Sequence, residues 1–512
     1  MMGIWRNLLR RLASLAKGRP LLTVGVVAGV VRLVAVAVGL VLGEASMVKD
    51  ENQYLAVAEA SAAGRLDVFW VGYGRSLYDS TWVFTGQVDL LFRAFGPVRL
   101  LGLLLSAGYG VLAAVLTTVV ASRVVRTSFA VLAGLVVALL PSQVFFSAAV
   151  VRESLIWTCL ILAAFFLAEG RRAARPIDVA LTLVGTTTCF LLLEGLRAQT
   201  AFLSLWCMAG ALVLGRGLRS VRAVAAVALL VVAPLLAGGA PGGVDFLDSS
   251  FKRLGLIRTY MALDAESAFV DIQEPDSFVA IQEPGSFAAI QEPGAFVAIQ
   301  EPGSFVAIQE PGSFAAIQEP APVVTAPGSG GPSARPTVVD GGVRSTIPVD
   351  ILDRDVMVDE YEQVFVVSHS GQRALVLTGL AATLDSLPRG LVAVSLLPFP
   401  WSYGTSMTLN AAAAESLLWV VLYVLAFIGA WHGRRAPTTY FPVFLVGAVM
   451  VSSAVTQGNL GTAFRHRGQV LSVLAVLAAI GIQYLWDRRS LGEARTGNAE
   501  RGWNSEPGRL ER

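Results

Sequence analysis

LLTVGVVAGVVRLVAVAVGLVLG, residues 21–43, decides the fold class of this chain. The stretch carries one charge, Arg32, and exceeds the ~20 apolar residues with which a helix crosses a hydrocarbon core. A basic segment, residues 6–19, precedes it, and no small-residue cleavage site follows it. Because a signal peptide has a shorter apolar region, the stretch predicts a retained first transmembrane helix.

Comparable apolar runs recur along the 512 residues, of which 54% are hydrophobic and 15% are charged. They lie at about residues 99–121, 128–149, 154–168, 177–193, 199–215, 223–240, 411–431, 439–456 and 467–486. The pattern predicts an all-α polytopic membrane protein with roughly ten transmembrane helices. The net charge of +2 gives no electrostatic reason to expect a nucleic-acid partner.

The basic residues of the short connections indicate how the spans are oriented. They fall in alternate connections, at Arg123 and Arg126, Arg171, Arg172 and Arg175, Arg216, Arg219 and Arg222, Arg434 and Arg435, and Arg488 and Arg489. Positive charge is enriched in cytoplasmic loops. We therefore predict a multi-pass protein of the plasma (inner) membrane with both termini in the cytoplasm.

This topology divides the chain into four parts. Residues 1–240 form a membrane region of about seven spans with an outer loop at 44–98, and residues 411–486 form about three more spans. Residues 241–410 form an extracytoplasmic segment, partly disordered, whose final part from 374 predicts interfacial or re-entrant helices. Residues 487–512 are polar without apolar periodicity and predict a disordered cytoplasmic tail.

A tandem nonapeptide, F-(V/A)-(A/D)-I-Q-E-P-G-(S/A), occupies residues 269–320 of the extracytoplasmic segment. Each Pro-Gly pair favours a turn. The repeat matches none of the solenoid repeats that we recognise, and the unit lacks the Gly-Asp pattern of calcium-binding nonapeptides. We interpret the repeat as duplication within a tolerant loop, since long surface insertions cost little free energy.

Asp50 and Glu51 open the first outer loop, where two adjacent carboxylates beside a bilayer suggest a site. The residues that follow, up to Gly64, have apolar side chains at helical spacing and predict an amphipathic helix. Asp50 with Gln53 also fits a capping box, so a helix cap is the alternative to catalysis.

Further charged residues fall on the same predicted outer side, at Arg152, Glu153, Arg197, Arg465, His466 and Arg467. Arginine binds phosphate in a bidentate manner, so these residues are candidates for holding a lipid phosphate. A carboxylate could then take a proton from an acceptor that attacks a sugar C1, while cations stabilise the departing lipid phosphate.

Each of these residues has a simpler interpretation. Arg152 and Glu153 can form a local ion pair, and Arg197 more readily extends to the interface than contacts substrate. Arg465 and Arg467 can bind generic lipid headgroups. The cysteines at 159, 189 and 207 lie inside apolar runs and predict buried apolar side chains. No phosphate-binding loop, dinucleotide fingerprint or metal-ligand cluster is present.

The chain resembles bacterial membrane glycosyltransferases of the GT-C type, including the protein O-mannosyltransferase-like and aminoarabinose-transferase-like groups. The resemblance rests on residues 50–58 (DENQYLAVA), 141–147 (PSQVFFS) with 152–154 (RES), 398–401 (PFPW) and 458–467 (GNLGTAFRHR). The His-Pro-Pro motif that many relatives carry later in the first outer loop is absent here.

The resemblance implies that Asp50, beside Glu51, is a catalytic base and that the donor is a polyprenyl-phosphate sugar. The implied partners are membrane lipid and a cell-envelope glycan, lipid or protein acceptor. It implies no certain cofactor and leaves a divalent metal open, because some members use one. A polysaccharide polymerase or ligase using lipid-linked glycans, and a transporter or envelope scaffold, remain alternatives.

Deleting residues 269–320 tests whether the repeat is the working part of the protein. We expect the shortened chain to insert into membranes and to keep its activity, because the repeat reads as a tolerated insertion. Complementation of a null strain by the shortened chain measures this. Loss of complementation at normal expression would favour the scaffold alternative.

Overall fold

The computed structural model describes residues 18–41, 49–66, 73–172, 175–214, 219–243, 356–358, 364–367, 373–375, 380–399, 401, 407–456 and 460–503. All of these belong to one unit, formed by residues 1–264 and 347–512. Residues 265–346 form a second unit. The nonapeptide repeat lies in that unit and so outside the described residues.

Helices dominate the described part of the chain. The N-terminal helices are α1 (Pro20–Val41), α2 (Lys49–Ala62), α3 (Tyr73–Phe95), α4 (Arg99–Ser122), α5 (Thr127–Leu139), α6 (Pro141–Ser147), α7 (Glu153–Arg172), α8 (Pro176–Glu194), α9 (Ala198–Val213) and α10 (Arg219–Leu236). The C-terminal helices are α11 (Leu380–Leu396), α12 (Met407–His432), α13 (Tyr440–Thr456) and α14 (Leu460–Trp503). Short 3₁₀ turns occupy Pro241–Gly243, Gly433–Arg435 and Pro437–Thr439.

Six of these helices are long and apolar enough to cross a membrane, namely α1, α4, α7, α8, α12 and α14. Helices α5 and α6 make a seventh candidate if they form one span bent by 58°. In hydrocarbon, a helix satisfies its own backbone hydrogen bonds, which is why such runs fold this way. The chain is therefore a helical membrane protein, as the sequence predicts.

The sequence predicts roughly ten spans, whereas the described part of the structure shows six helices, or seven with the bent pair, that are long and apolar enough to cross a membrane. The three remaining apolar runs form the shorter helices α9, α10 and α13, and α9 has only 16 residues against the ~20 usually needed. Ten spans, and the membrane side that each connection faces, therefore stay predictions. The helix predicted after Asp50 is present as α2, and Gly64 follows its end with φ +68°.

Helices α12 and α14 run antiparallel and come into backbone contact at two glycines. A Cβ atom on Gly429 would lie 1.9 Å from the Leu477 carbonyl oxygen, and one on Gly481 would lie 2.1 Å from that of Leu425. Small residues of this kind let membrane helices approach closely. Consequently Arg465 and Asp487, at the two ends of the apolar part of α14, mark opposite ends of the bundle.

The two ends differ in their connections. Arg123 pairs with Glu169 at 3.0 Å, joining the C-terminal parts of α4 and α7, and the Arg126 amide donates to Gln483 at 2.7 Å. We call this the basic end. The starts of α4, α7 and the apolar part of α14 lie about 30 Å away, since each residue of a helix rises 1.5 Å. We call that the site end.

A proline separates α5 from α6 and leaves carbonyl groups without their usual helical donor. Pro141 has no amide hydrogen, and Leu140 before it is extended at φ −61° and ψ 125°. Arg32, fully buried in α1, donates to the carbonyls of Val137 at 3.3 Å and Ala138 at 3.1 Å. Arg32 therefore caps the C-terminal end of α5, where a cation is favoured by the helix dipole.

Glu415 of α12 accepts hydrogen bonds on the other side of the break, at the start of α6. Its buried carboxylate accepts from the Ser142 amide at 2.7 Å, the Ser142 hydroxyl at 2.6 Å and the Trp419 indole at 2.7 Å. An anion at the start of α6 complements that end of the helix. One buried charge of each sign thus completes the broken helix.

Two regions differ from the sequence prediction. Three short strands, β1 (Val356–Val358), β2 (Val364–Val367) and β3 (Arg373–Leu375), form an antiparallel sheet in the order β1-β2-β3. Helix α14 also continues through residues 487–503, where we predicted a disordered tail. A helix already nucleated within the membrane extends at little cost into residues such as Ala, Glu and Arg, which need no apolar periodicity.

Replacing Arg32 with Met tests its capping role. Two buried carbonyls lose their donor, so we expect the free energy of unfolding to fall by about 2–4 kcal/mol. Leu33→Met, on the exposed side of the same helix, is the matched control and should change it by less than about 0.5 kcal/mol. The midpoint of thermal unfolding in detergent measures both. Equal midpoints for the two variants would contradict the capping role.

Candidate functional site

The two carboxylates at the start of α2 have different partners. Asp50 accepts a hydrogen bond from Arg465 of α14, and the two side chains are 37% and 23% exposed. Glu51 is fully buried and accepts from Arg99 Nε at 2.7 Å, at the start of α4. The pair therefore ties α2 to two spans at the site end.

A second group of charges surrounds the start of α7. Arg152 donates to the Leu196 carbonyl, and Arg197 donates to Glu153 at 3.4 Å. Leu196 and Arg197 belong to the connection between α8 and α9, so these contacts fix that connection against α7. Burial lowers the pKa of Arg197 to about 10, which still leaves it charged at neutral pH.

Tyr54 brings the two groups together. Its buried phenol is subject to the charges of Arg152, Glu153, Arg197 and Asp50, and burial raises its pKa. Arg465 in turn interacts electrostatically with Glu153, Asp50 and Tyr54. Since such interactions weaken with distance, these groups are neighbours. We call Asp50, Tyr54, Arg152, Glu153, Arg197 and Arg465 the charged cluster.

The charged cluster contains polar atoms that have no hydrogen-bond partner among the described residues. Glu153 Oε2, Arg152 Nε and Arg197 Nη1 are buried and make no hydrogen bond to the described residues. Buried polar groups are normally paired, so each such atom calls for an explanation. Three guanidinium groups against two carboxylates leave the cluster with a net charge of +1. Its unused donors and single unused acceptor suit an anion that carries a hydroxyl or amine nearby.

The other two residues of the Arg465–Arg467 run contact different elements. Arg467 is fully buried and donates to the carbonyls of Ser395, at 3.2 Å, and Leu397, at the end of α11. His466 Nδ1 lies 2.7 Å from the Ser453 hydroxyl of α13. Successive residues of a helix point about 100° apart, so Arg467 lies apart from the charged cluster, whereas His466 stays within reach of the charges of Arg197 and Arg465. Arg467 instead completes the end of a helix.

The structure also decides among the simpler interpretations. Arg152 and Glu153 do not pair with each other; each contacts the connection between α8 and α9. The Arg197 side chain is only 15% exposed and donates to Glu153, so it packs against α7, and its extension to the membrane interface stays a prediction. Asp50 lies in the first turn of α2, where its negative charge interacts favourably with the helix dipole while the carboxylate contacts Arg465. The three cysteines are buried and free, as predicted.

Three contributing residues escape the sequence analysis. Tyr54 follows Asp50 by four positions and therefore shares its helical face, a signal that we read only as apolar. Arg99 opens an apolar run directly after a turn, which marks it as a candidate partner for an acid. Asp89 accepts from Ser61 at 3.0 Å and Arg93 at 2.7 Å, which fixes α2 on α3. Only the fold reveals this last contact.

No group of three or more His, Cys, Asp and Glu side chains that could hold a metal ion occurs within the part of the chain that the structure describes. The chain matches no protein-family model, and no curated protein and no solved structure is significantly similar to it.

A double-mutant cycle on Asp50→Asn and Arg465→Gln tests the contact that closes the charged cluster. Both side chains are partly exposed, so we expect a coupling free energy of about 0.5–1 kcal/mol. Asp79→Asn with Arg75→Gln, an exposed pair within α3, is the control and should give about 0.3 kcal/mol. Thermal unfolding of the four variants of each cycle measures the coupling. A value for Asp50 and Arg465 no larger than the control would refute a specific contact.

Proposed function

We propose that this protein transfers a sugar from a polyprenyl-phosphate carrier to a cell-envelope acceptor at the extracytoplasmic face of the inner membrane. The observation that carries the proposal is the charged cluster. It gathers carboxylates and guanidinium groups from four separate parts of the sequence at one end of an apolar helix bundle. Its unpaired buried atoms, Glu153 Oε2 and Arg197 Nη1 among them, support a ligand with both donor and acceptor groups.

The guanidinium groups bind the lipid-linked phosphate in this proposal. Arg465 is partly exposed, and Arg152 and Arg197 contribute buried donors that have no partner among the described residues. Bidentate contacts from arginine suit a phosphate oxygen pair. These cations also stabilise the negative charge that grows on the departing lipid phosphate. Arg467 has a structural role in this proposal, because it donates to two carbonyls at the end of α11.

Phosphate binding also activates the base. A phosphate that replaces Asp50 on Arg465 releases the Asp50 carboxylate beside the acceptor. The acceptor oxygen or nitrogen then forms a bond to sugar C1, the bond from C1 to the phosphate oxygen breaks, and the acceptor proton passes to Asp50. Glu153 orients the acceptor through Oε2, and Glu51 supports Asp50 by holding α2 against Arg99.

Among the described residues, the broken helix between α5 and α6 is the feature that most favours a transporter. Discontinuous spans in transporters offer their exposed helix ends to substrate or ions. Here Arg32 and Glu415 already occupy those ends. The transferase therefore explains more of the unpaired groups than the transporter does. A polymerase or ligase would use the same phosphate chemistry and differs in its product, an elongated lipid-linked glycan.

Variants of the charged cluster test the proposal on the full chain in lipid vesicles. Transfer from a panel of radiolabelled polyprenyl-phosphate hexoses and pentoses to a membrane extract is measured. Asp50→Asn should lower the rate about 10²–10⁴-fold, as loss of a general base does. Asp79→Asn is the control carboxylate, exposed on α3, and should leave the rate unchanged. An unchanged transfer rate in the double variant Asp50→Asn, Glu51→Gln would contradict the mechanism.

A binding measurement separates the substrate class from the chemistry. We expect the chain to bind a polyprenyl phosphate and to discriminate against the corresponding polyprenol, which lacks the phosphate. Arg465→Gln should weaken the binding of the phosphate at least about tenfold, since a charge-assisted hydrogen bond is lost. Equal binding of the two lipids would contradict the role of the guanidinium groups.

A further inference from the structure

A cavity of about 580 Å³ opens at the basic end, between α12 and α14. Phe427, Ile428 and Leu485 contribute apolar wall, while Arg434 and Arg435 follow the end of α12. Volumes of this size are typical of small-ligand sites. Because the arginines lie about a turn beyond the apolar residues along the chain, the cavity is apolar on its inner side and cationic at its mouth.

Aromatic rings hold the guanidinium groups at this mouth. Arg434 lies over Trp431 with its Cζ atom 4.6 Å from the ring centroid, and Arg488 lies over Tyr484 at 5.7 Å. Arg434 also donates to the Trp431 carbonyl at 3.0 Å, which uses one of its five N–H groups. Stacking of this kind orients arginine while leaving most donors available.

No acidic residue lines the cavity within the described ranges. The acid nearest to it in sequence, Asp487, is ion-paired with Arg126 at the start of α5. Among the described residues, the three arginines therefore share the cavity with no carboxylate that lines it. An anion is the ligand that this arrangement favours.

An exposed apolar stripe leads from the cavity towards the middle of the bundle. Leu417, Val420, Val424, Phe427 and Trp431 follow one face of α12 at helical spacing, and all are 42–69% exposed. The stripe spans about 20 Å, since its 14 steps rise 1.5 Å each. A hydrocarbon chain of a membrane lipid matches both its length and its apolarity.

We propose that this cavity binds the headgroup of an anionic phospholipid, with the phosphate on Arg434, Arg435 and Arg488 and an acyl chain along the stripe of α12. A zwitterionic lipid would bring its ammonium group against three guanidinium groups. A soluble phosphate would leave the stripe unoccupied. The site lies about 30 Å from the charged cluster and does not depend on the proposed transfer reaction.

Native mass spectrometry of the full chain in mixed micelles tests this site. The probes are dioleoylphosphatidylglycerol and dioleoylphosphatidylcholine, titrated separately, with inorganic phosphate and glycerol 3-phosphate as soluble competitors. We expect the wild-type chain to retain one phosphatidylglycerol in preference to phosphatidylcholine. Millimolar soluble phosphate should not displace it. Equal retention of the two lipids, or displacement of phosphatidylglycerol by soluble phosphate, would overturn the proposal. This experiment uses the wild-type chain alone.

Matched arginine pairs locate the site. Arg435→Gln with Arg488→Gln should weaken phosphatidylglycerol binding about thirtyfold, from roughly 1 kcal/mol for each charge at the surface. Arg175→Gln with Arg489→Gln removes the same charge from the same end outside the cavity and should weaken it less than about threefold. Similar losses in both double variants would show a diffuse basic surface and refute a defined site.

Discussion

A membrane interior offers no water to a broken helix, and this constraint explains where the buried charges of this protein lie. Each interruption of a helix frees carbonyl or amide groups that must find a partner within the protein. Arg32 and Glu415 supply those partners at the Pro141 break, and Arg467 supplies them at the end of α11. These residues are charged and buried, yet their function is to complete backbone hydrogen bonding. Charges that remain after this accounting are the ones that suggest a binding site.

Much of the fold and part of the site follow from the sequence. Apolar runs long enough to cross a bilayer predict the helices, because the formation of such a helix depends mainly on the composition of its own segment. The alternation of basic connections predicts that Asp50 and Arg465 share one end of the bundle, and the structure brings them into contact. The two residues are more than 400 positions apart in the sequence. They meet because successive spans cross the membrane in opposite directions and return the chain to the same end of the bundle.

The details that escape prediction depend on helix rotation and on distant partners. Arg465 and Arg467 are equivalent in sequence, but the helix points them towards different elements. No sequence pattern links Arg32 to carbonyls of α5 or Glu415 to the start of α6. The extension of α14 beyond residue 486 likewise depends on a helix that the membrane-spanning part has already started. Helix propensity and hydrophobic periodicity are properties of a single segment, whereas these contacts depend on how two segments pack against each other.

The backbone contact at Gly429 and Gly481 limits how this protein can evolve. Along the exposed faces of α12, one large apolar residue can replace another, because lipid accommodates any of them. At the two glycines even alanine places its methyl group about 2 Å from a carbonyl oxygen of the facing helix. Drift across the lipid-facing surface should therefore leave these two positions unchanged. In any set of divergent descendants, the invariant pair would identify the α12–α14 contact even where the rest of the sequence had become unrecognisable.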